Sequence, residues 1–152
     1  MKLRKATKNQ DMKKTINVFI IEDDSIFSQM LSDLVMSLND LLKVKNIEII
    51  YKTFYSADEA LFELSDKIDV VLLDYYILDD NLELQTADKV IARIKAIDPA
   101  IQVIVVSGQE NELIKRALLH SGASDYIQKN PNAFIRLEQV LLKAAVTISK
   151  KQ

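Results

Sequence analysis

Beyond residues 1–14 the chain alternates short apolar runs with longer amphipathic stretches. The runs predict strands near 16–22, 47–54, 69–73, 101–106 and 125–128, each rich in β-branched or aromatic residues. Between them apolar residues recur at helical spacing. Ile26, Met30, Leu34 and Leu38 mark a first helix with Asp24 as its N-cap, and Ala60, Phe62 and Leu64 accompany a second. That second helix should start near Ala57. Ser56-Ala57-Asp58-Glu59 has the S-x-x-E form of a capping box, in which the serine and glutamate side chains satisfy exposed backbone donors reciprocally. Val90, Ile91 and Ile94 mark a third helix closed by Asp98-Pro99, Leu113 to Leu119 a fourth stopped by Gly122, and Leu137 to Ile148 a fifth. Asn130 can cap this last helix, with Pro131 in the first turn where a missing N–H costs nothing.

Five repetitions of strand and helix argue for an α/β fold, a parallel sheet with helices on both faces. The runs at 18–21, 70–73 and 103–106 are almost wholly apolar, as central strands buried on both sides must be. A length of 152 residues suits one domain, and no internal repeat or low-complexity tract divides it. The expected organisation is a basic, flexible tail over residues 1–14 and a single domain over residues 15–152. The tail carries Lys2, Arg4, Lys5, Lys8, Lys13 and Lys14 against Asp11, too polar to offset the entropy of ordering it. A basic docking arm is the alternative reading.

Composition narrows the field. Hydrophobic residues make up 49% and charged residues 28%, a globular balance, and no apolar run approaches the ~20 residues of a membrane span. The N-terminal stretch has basic residues but no apolar segment after them, so no signal peptide is expected. Without cysteine there are no disulfides, thiolate metal sites or thiol nucleophiles, which fits a cytoplasmic location. A net charge of −2 does not suggest nucleic-acid binding.

The chemistry gathers at the strand ends. The first run leads into Glu22-Asp23-Asp24, the third into Asp74, the fourth into Ser107-Gly108 and the fifth into Lys129. If the runs are neighbouring parallel strands, these groups share the carboxyl rim where open α/β sheets bind ligands. Singly, an acid at a strand end often only begins a solvated loop. Glu22, Asp23 and Asp74 together would repel one another unless a cation sat among them. Mg2+, which takes one or two carboxylates, keeps waters and accepts phosphate oxygens, suits such an open site. Asp74 can then act as a nucleophile toward phosphorus, with Lys129 and the Ser107 hydroxyl stabilising charge on the phosphoryl oxygens.

At this point the residues resemble the receiver domains of two-component response regulators, over roughly Thr15 to Ser149. Glu22-Asp23 looks like that family's acidic pair, Asp74 like its phosphoacceptor, Ser107 like its hydroxyl residue and Lys129 like its lysine. Tyr126 stands three before that lysine, and Gly122-Ala123-Ser124-Asp125-Tyr126 is similar to the family's G-A-x-D-Y signature. The resemblance implies a flavodoxin-like sheet of order 2-1-3-4-5. It implies Mg2+ held by Glu22, Asp23, Asp74 and the backbone carbonyl of Tyr76, and phosphoryl transfer from a histidine kinase or phosphotransfer protein, with slow autodephosphorylation. It further implies a switch in which Ser107 is drawn toward the phosphoryl group and Tyr126 turns inward. That would reshape the face of the fourth helix, fifth strand and fifth helix for a downstream target protein. Such a chain is a signalling phosphoacceptor rather than an enzyme. No DNA-binding domain and no membrane anchor are expected in the remaining residues, and the same face is compatible with a phosphorylation-linked homodimer.

Some residues depart from the family pattern. Leu78 stands where a proline is usual, and no glycine occurs between Asp74 and Ser107. The stretch from Tyr75 to Thr86 is about five residues longer than usual, and Asp79, Asp80, Glu83 and Asp88 read as an acidic loop beside the site. Tyr76, with Gln109, is placed to screen a phosphoryl group from water, which predicts a long-lived phosphate. Lys129 is followed by Asn130 before the proline, where a cis bond would be costly. His120, the only histidine, is read as exposed or capping. Two other functions stay open: a receiver-like protein-binding module that never takes phosphate, and an aspartate-nucleophile phosphatase. The phosphatase needs a second acid two residues after the nucleophile, where this chain has Tyr76.

Overall fold

A computed structural model describes residues 12–152. Its strands are β1 (Lys14–Ile21), β2 (Ile47–Phe54), β3 (Val70–Asp74), β4 (Tyr76–Leu78), β5 (Leu84–Thr86), β6 (Gln102–Ser107) and β7 (Asp125–Gln128). Its helices are α1 (Ser25–Leu42), α2 (Ala57–Glu63), α3 (Ala87–Ile97), α4 (Glu112–His120) and α5 (Ala133–Ser149). Five strands form one sheet in the order β2-β1-β3-β6-β7, every pairing parallel. This is the anticipated order, 2-1-3-4-5, counted over the parallel strands.

Alternation along the strands divides the core in two. Phe19 and Ile21 of β1, Val71 and Leu73 of β3, and Val103 and Val105 of β6 face α2, α3 and Leu118 of α4. The residues between them, Val18 and Ile20, Val70 and Leu72, Ile104 and Val106, face α1 and α5. The central strands are therefore apolar on both faces because both faces are covered.

Caps fix where the helices begin. The Asp24 carboxylate accepts the Ile26 and Phe27 N–H groups at 3.0 and 2.9 Å, so the chain turns into α1 directly after the rim. Ser56 accepts the Glu59 N–H at 3.1 Å, which starts α2 at Ala57 as the capping box predicts. Gly122 ends the fourth helical segment in a left-handed conformation, φ 113°. His120 is exposed at the end of α4.

The structure corrects several details. The buried stripe of α1 is Ser28, Leu31, Ser32, Val35, Leu38 and Leu42, leaving Ile26 74% exposed and Met30 partly so. The helix is apolar on more than one side, so apolar spacing alone could not choose, and two small serines turn inward instead. Ser32 satisfies its hydroxyl on the Ser28 carbonyl at 3.0 Å. In α2 the inward residues are Ala57, Ala60 and Leu61, while Phe62 is 92% exposed. Asn130 does not cap α5. It builds the preceding turn, its side chain accepting the Asn132 N–H and its carbonyl the Ala133 N–H, each at 2.9 Å.

The stretch after Asp74 is not a loop but a hairpin, β4 paired antiparallel with β5. Its sequence hides this, since each strand is three residues long and Ile77 is its only fully buried apolar side chain. Of the basic N-terminal segment, residues 1–11 lie outside the described residues. Lys13 is paired with Glu48 at 2.8 Å, and Lys14 opens β1 and reaches the Ser149 carbonyl at 2.6 Å. All peptide bonds of the described residues are trans, the Lys129–Asn130 bond included.

Candidate functional site

The four strand ends do meet. Asp74 is the last residue of β3 and registers with Val106 of β6, while Ser107 registers with Gln128 of β7. The Glu22 N–H is held on the Phe54 carbonyl at 3.0 Å and the Lys129 N–H on the Ser107 carbonyl at 2.7 Å, so both side chains leave the sheet from its carboxyl edge.

At that edge one oxygen from each of Glu22, Asp23 and Asp74 lies within 4.8 Å of the others. The Lys129 ammonium stands 3.2 Å from Glu22 Oε2 and 3.5 Å from Asp74 Oδ1. Glu22 is 1% exposed and also accepts the Asp24 N–H at 3.2 Å. Burial, followed by repulsion from Asp74, raises its pKa to about 7, although Lys129 pulls the other way. Burial likewise raises the Asp74 pKa, opposed by Lys129 and reinforced by Asp23. These carboxylates are costly to ionise side by side, and a divalent cation relieves that cost. One oxygen from each of the three carboxylates could turn to a shared ion, which would neutralise the cluster. The donor set thus fits a hard divalent metal.

Sequence reasoning did not find Phe27. Its ring centroid lies 4.2 Å from the Lys129 ammonium and 5.6 Å from that of Phe134, making a cation–π seat for the lysine. Only its place in the capped turn after Asp24 marks it, and nothing in the sequence links that turn to Lys129. The backbone of Gln109 is engaged on both sides. Its N–H donates to Ser107 Oγ at 3.0 Å, and its carbonyl accepts the Tyr126 hydroxyl at 2.5 Å. Ser107 is fully buried and Tyr126 nearly so. The aromatic expected to turn inward on phosphorylation is inside already, because the Gln109 carbonyl gives its hydroxyl a partner there. Tyr76 is 37% exposed and packs edge-on against Tyr75, centroids 4.6 Å apart.

Fold and site together define a doubly wound α/β domain with a carboxylate cluster and a lysine on its carboxyl rim. The model of the response regulator receiver domain matches residues 18–141, and the chain belongs to that family. A transcriptional regulatory protein, MalR, of Bacillus subtilis is 37% identical over 128 residues, covering 83% of this chain and 48% of MalR. A cyclic di-GMP phosphodiesterase of Thermotoga maritima is 28% identical over 117 residues, covering 77% of this chain and 28% of that protein. The chain thus spans less than half the length of these curated relatives. Among solved structures, a beryllofluoride-activated DrrB receiver domain superposes with TM-score 0.68 at 18% identity, covering 86% of this chain and 97% of that one. The receiver domain of a DNA-binding response regulator from Colwellia psychrerythraea superposes with TM-score 0.64 at 26% identity, covering 84% and 96%. Among the described residues no helix is long and apolar enough to cross a membrane.

Proposed function

We propose that this receiver domain accepts a phosphoryl group on Asp74 from a phosphohistidine of a histidine kinase or phosphotransfer protein. The observation that carries the reading is the joint contact of Lys129 with Glu22 and Asp74 inside a three-carboxylate cluster. An Asp74 oxygen attacks phosphorus as the P–N bond breaks, and the imidazole leaves with that bonding pair. Glu22, Asp23, Asp74 and the Tyr76 carbonyl would hold Mg2+, which when bound supplies charge neutralisation for phosphoryl oxygens. Lys129, steadied on Phe27, turns its ammonium to the same oxygens. The Ser107 hydroxyl accepts from Gln109 and still has its own proton to donate to the phosphoryl group.

That last contact couples the site to its output. Ser107 and Tyr126 both hold the backbone of Gln109, so a shift of Ser107 toward phosphate moves the segment leading into α4. The segment borders a groove of about 250 Å³ between α4, β7 and the turn before α5, lined by Gln109, Asn111, Lys115, Gln128 and Arg136. This face is the docking surface for a downstream target protein, and phosphorylation biases its two arrangements. Tyr76 and Gln109 screen the acyl phosphate from water and lengthen its life.

Incubation with acetyl phosphate or phosphoramidate and Mg2+, read by intact mass, tests the reading. Wild type gains one phosphoryl group and Asp74→Ala gains none. No gain on wild type leaves instead a binding module that works without phosphate, and equal labelling of the variant puts the phosphoryl group on another residue; either outcome overturns the reading.

A further inference from the structure

The hairpin after Asp74 holds a buried charge that the proposed chemistry does not use. Asp79 is 8% exposed, and its carboxylate accepts the Asn81 and Glu83 N–H groups at 2.9 and 2.8 Å and Gln85 Nε2 at 3.3 Å. These ties hold Leu82 in the left-handed region at φ 61° with its side chain out in solvent, a strained choice for a leucine. Two of these ties fix the turn between the strands, and the third, from Gln85, reaches it from β5.

Register is what such ties can decide. The pairs are Tyr76 with Thr86, Ile77 with Gln85 and Leu78 with Leu84, and the Asp79 N–H donates to the Glu83 carbonyl at 2.9 Å. Hydrogen-bonded and non-bonded pairs alternate along an antiparallel ladder. Counting back from Asp79–Glu83, Ile77–Gln85 is a bonded pair and Tyr76–Thr86 is not, so the Tyr76 carbonyl points away from β5. It is left available to the site beside Asp74, two residues earlier. A slip of one residue would turn that carbonyl into the ladder. Apolar burial does not prevent the slip on the β5 side, where the one apolar residue, Leu84, is largely exposed. Three pairs alone make a marginal hairpin. The tip is anchored besides, with Asp80 accepting the Ser56 hydroxyl at 2.7 Å and donating its N–H to Asp58, which Arg93 holds at 3.1 Å.

We propose that Asp79 is a positioning residue: its carboxylate locks the register of the β4–β5 hairpin and thereby keeps the Tyr76 backbone carbonyl free to ligate the divalent cation. The inference rests on the metal-dependent reading of the site above. Mg2+ affinity measured by titration calorimetry on wild type, Asp79→Ala and Asp79→Asn tests it. Asp79→Ala loses about tenfold or more in affinity, as loss of an outer-shell partner does. Asp79→Asn keeps an oxygen for the Asn81 and Glu83 N–H groups, and its NH2 donates to the oxygen of a flipped Gln85 amide, so the cross-strand contact survives and affinity stays near wild type. A merely structural aspartate would lower thermal stability in Asp79→Ala and leave the affinity of the folded protein unchanged. Wild-type affinity in Asp79→Ala, or no rescue by asparagine, overturns the proposal. If the alanine variant does not fold, Gln85→Ala, which removes only the cross-strand contact, must show the same direction of loss. If wild type binds no Mg2+, the metal reading fails, and amide exchange then decides the lock. Ile77 and Gln85 amides should be protected in wild type and lose that protection in Asp79→Ala, and unchanged protection overturns it.

Discussion

The Lys129 ammonium is held between two carboxylates and the face of Phe27, so its position does not depend on a bound phosphoryl group. Replacing it by methionine keeps an apolar stem on Phe27 and removes the charge. We expect Lys129→Met to slow phosphorylation by acetyl phosphate about 100-fold, the order found when one stabilising donor of a transition state is removed. Mg2+ affinity should not weaken, since a cation has been withdrawn from an acidic cluster. An unchanged labelling rate would remove Lys129 from the chemistry. Glu22 makes a second prediction. Its pKa of about 7 stands above the ordinary 4.5, so the folded protein holds a proton that the unfolded chain releases. That proton stabilises the fold fully below about pH 4.5, and the contribution is lost as pH rises through about 7. Mg2+ competes for the same oxygens, so the rise in Tm that it produces should be larger at pH 8 than at pH 6. Equal rises would show that Glu22 does not bind the ion.

Among the elements, the parallel strands and the starts of α1 and α2 were legible because each has a local cause. Apolar runs end where the rim begins, and Asp24 and Ser56 cap the turns that follow. The rotation of α1 was not legible, since burial of Ser28 and Ser32 is decided by packing against the sheet and α5. Nor was the hairpin, whose register is written in the Asp79 ties rather than in an alternating pattern. One exposed element carries a device of its own. Asn39 of α1 accepts the Ile49 N–H at 2.7 Å and donates to the Ile49 carbonyl at 3.1 Å, occupying the open edge of β2 as a neighbouring strand would. Asn39→Ala should cost about 1–3 kcal/mol in urea unfolding by leaving both backbone groups half-buried without that partner. A loss within error would mean that water replaces the amide freely. At the hairpin, Tyr76→Asn should accelerate dephosphorylation of Asp74 several-fold, and an unchanged rate would end the screening idea.

At the scale of the molecule, the rim's five side chains were readable from sequence because parallel strands must deliver their ends to one edge. The contacts just behind the rim were not, since they run through the backbone of Gln109 and the ring of Phe27. Family membership places this chain among receiver domains, while the curated relatives it matches are more than twice the matched length. The account stands on Asp74 as the phosphoacceptor. The direct measurement is borohydride reduction of acetyl-phosphate-treated protein followed by peptide mass mapping, because hydride converts an aspartyl phosphate to homoserine. The account predicts homoserine at position 74 alone, dependent on Mg2+. Homoserine at another aspartate, or none with phosphate stably retained elsewhere, would contradict it.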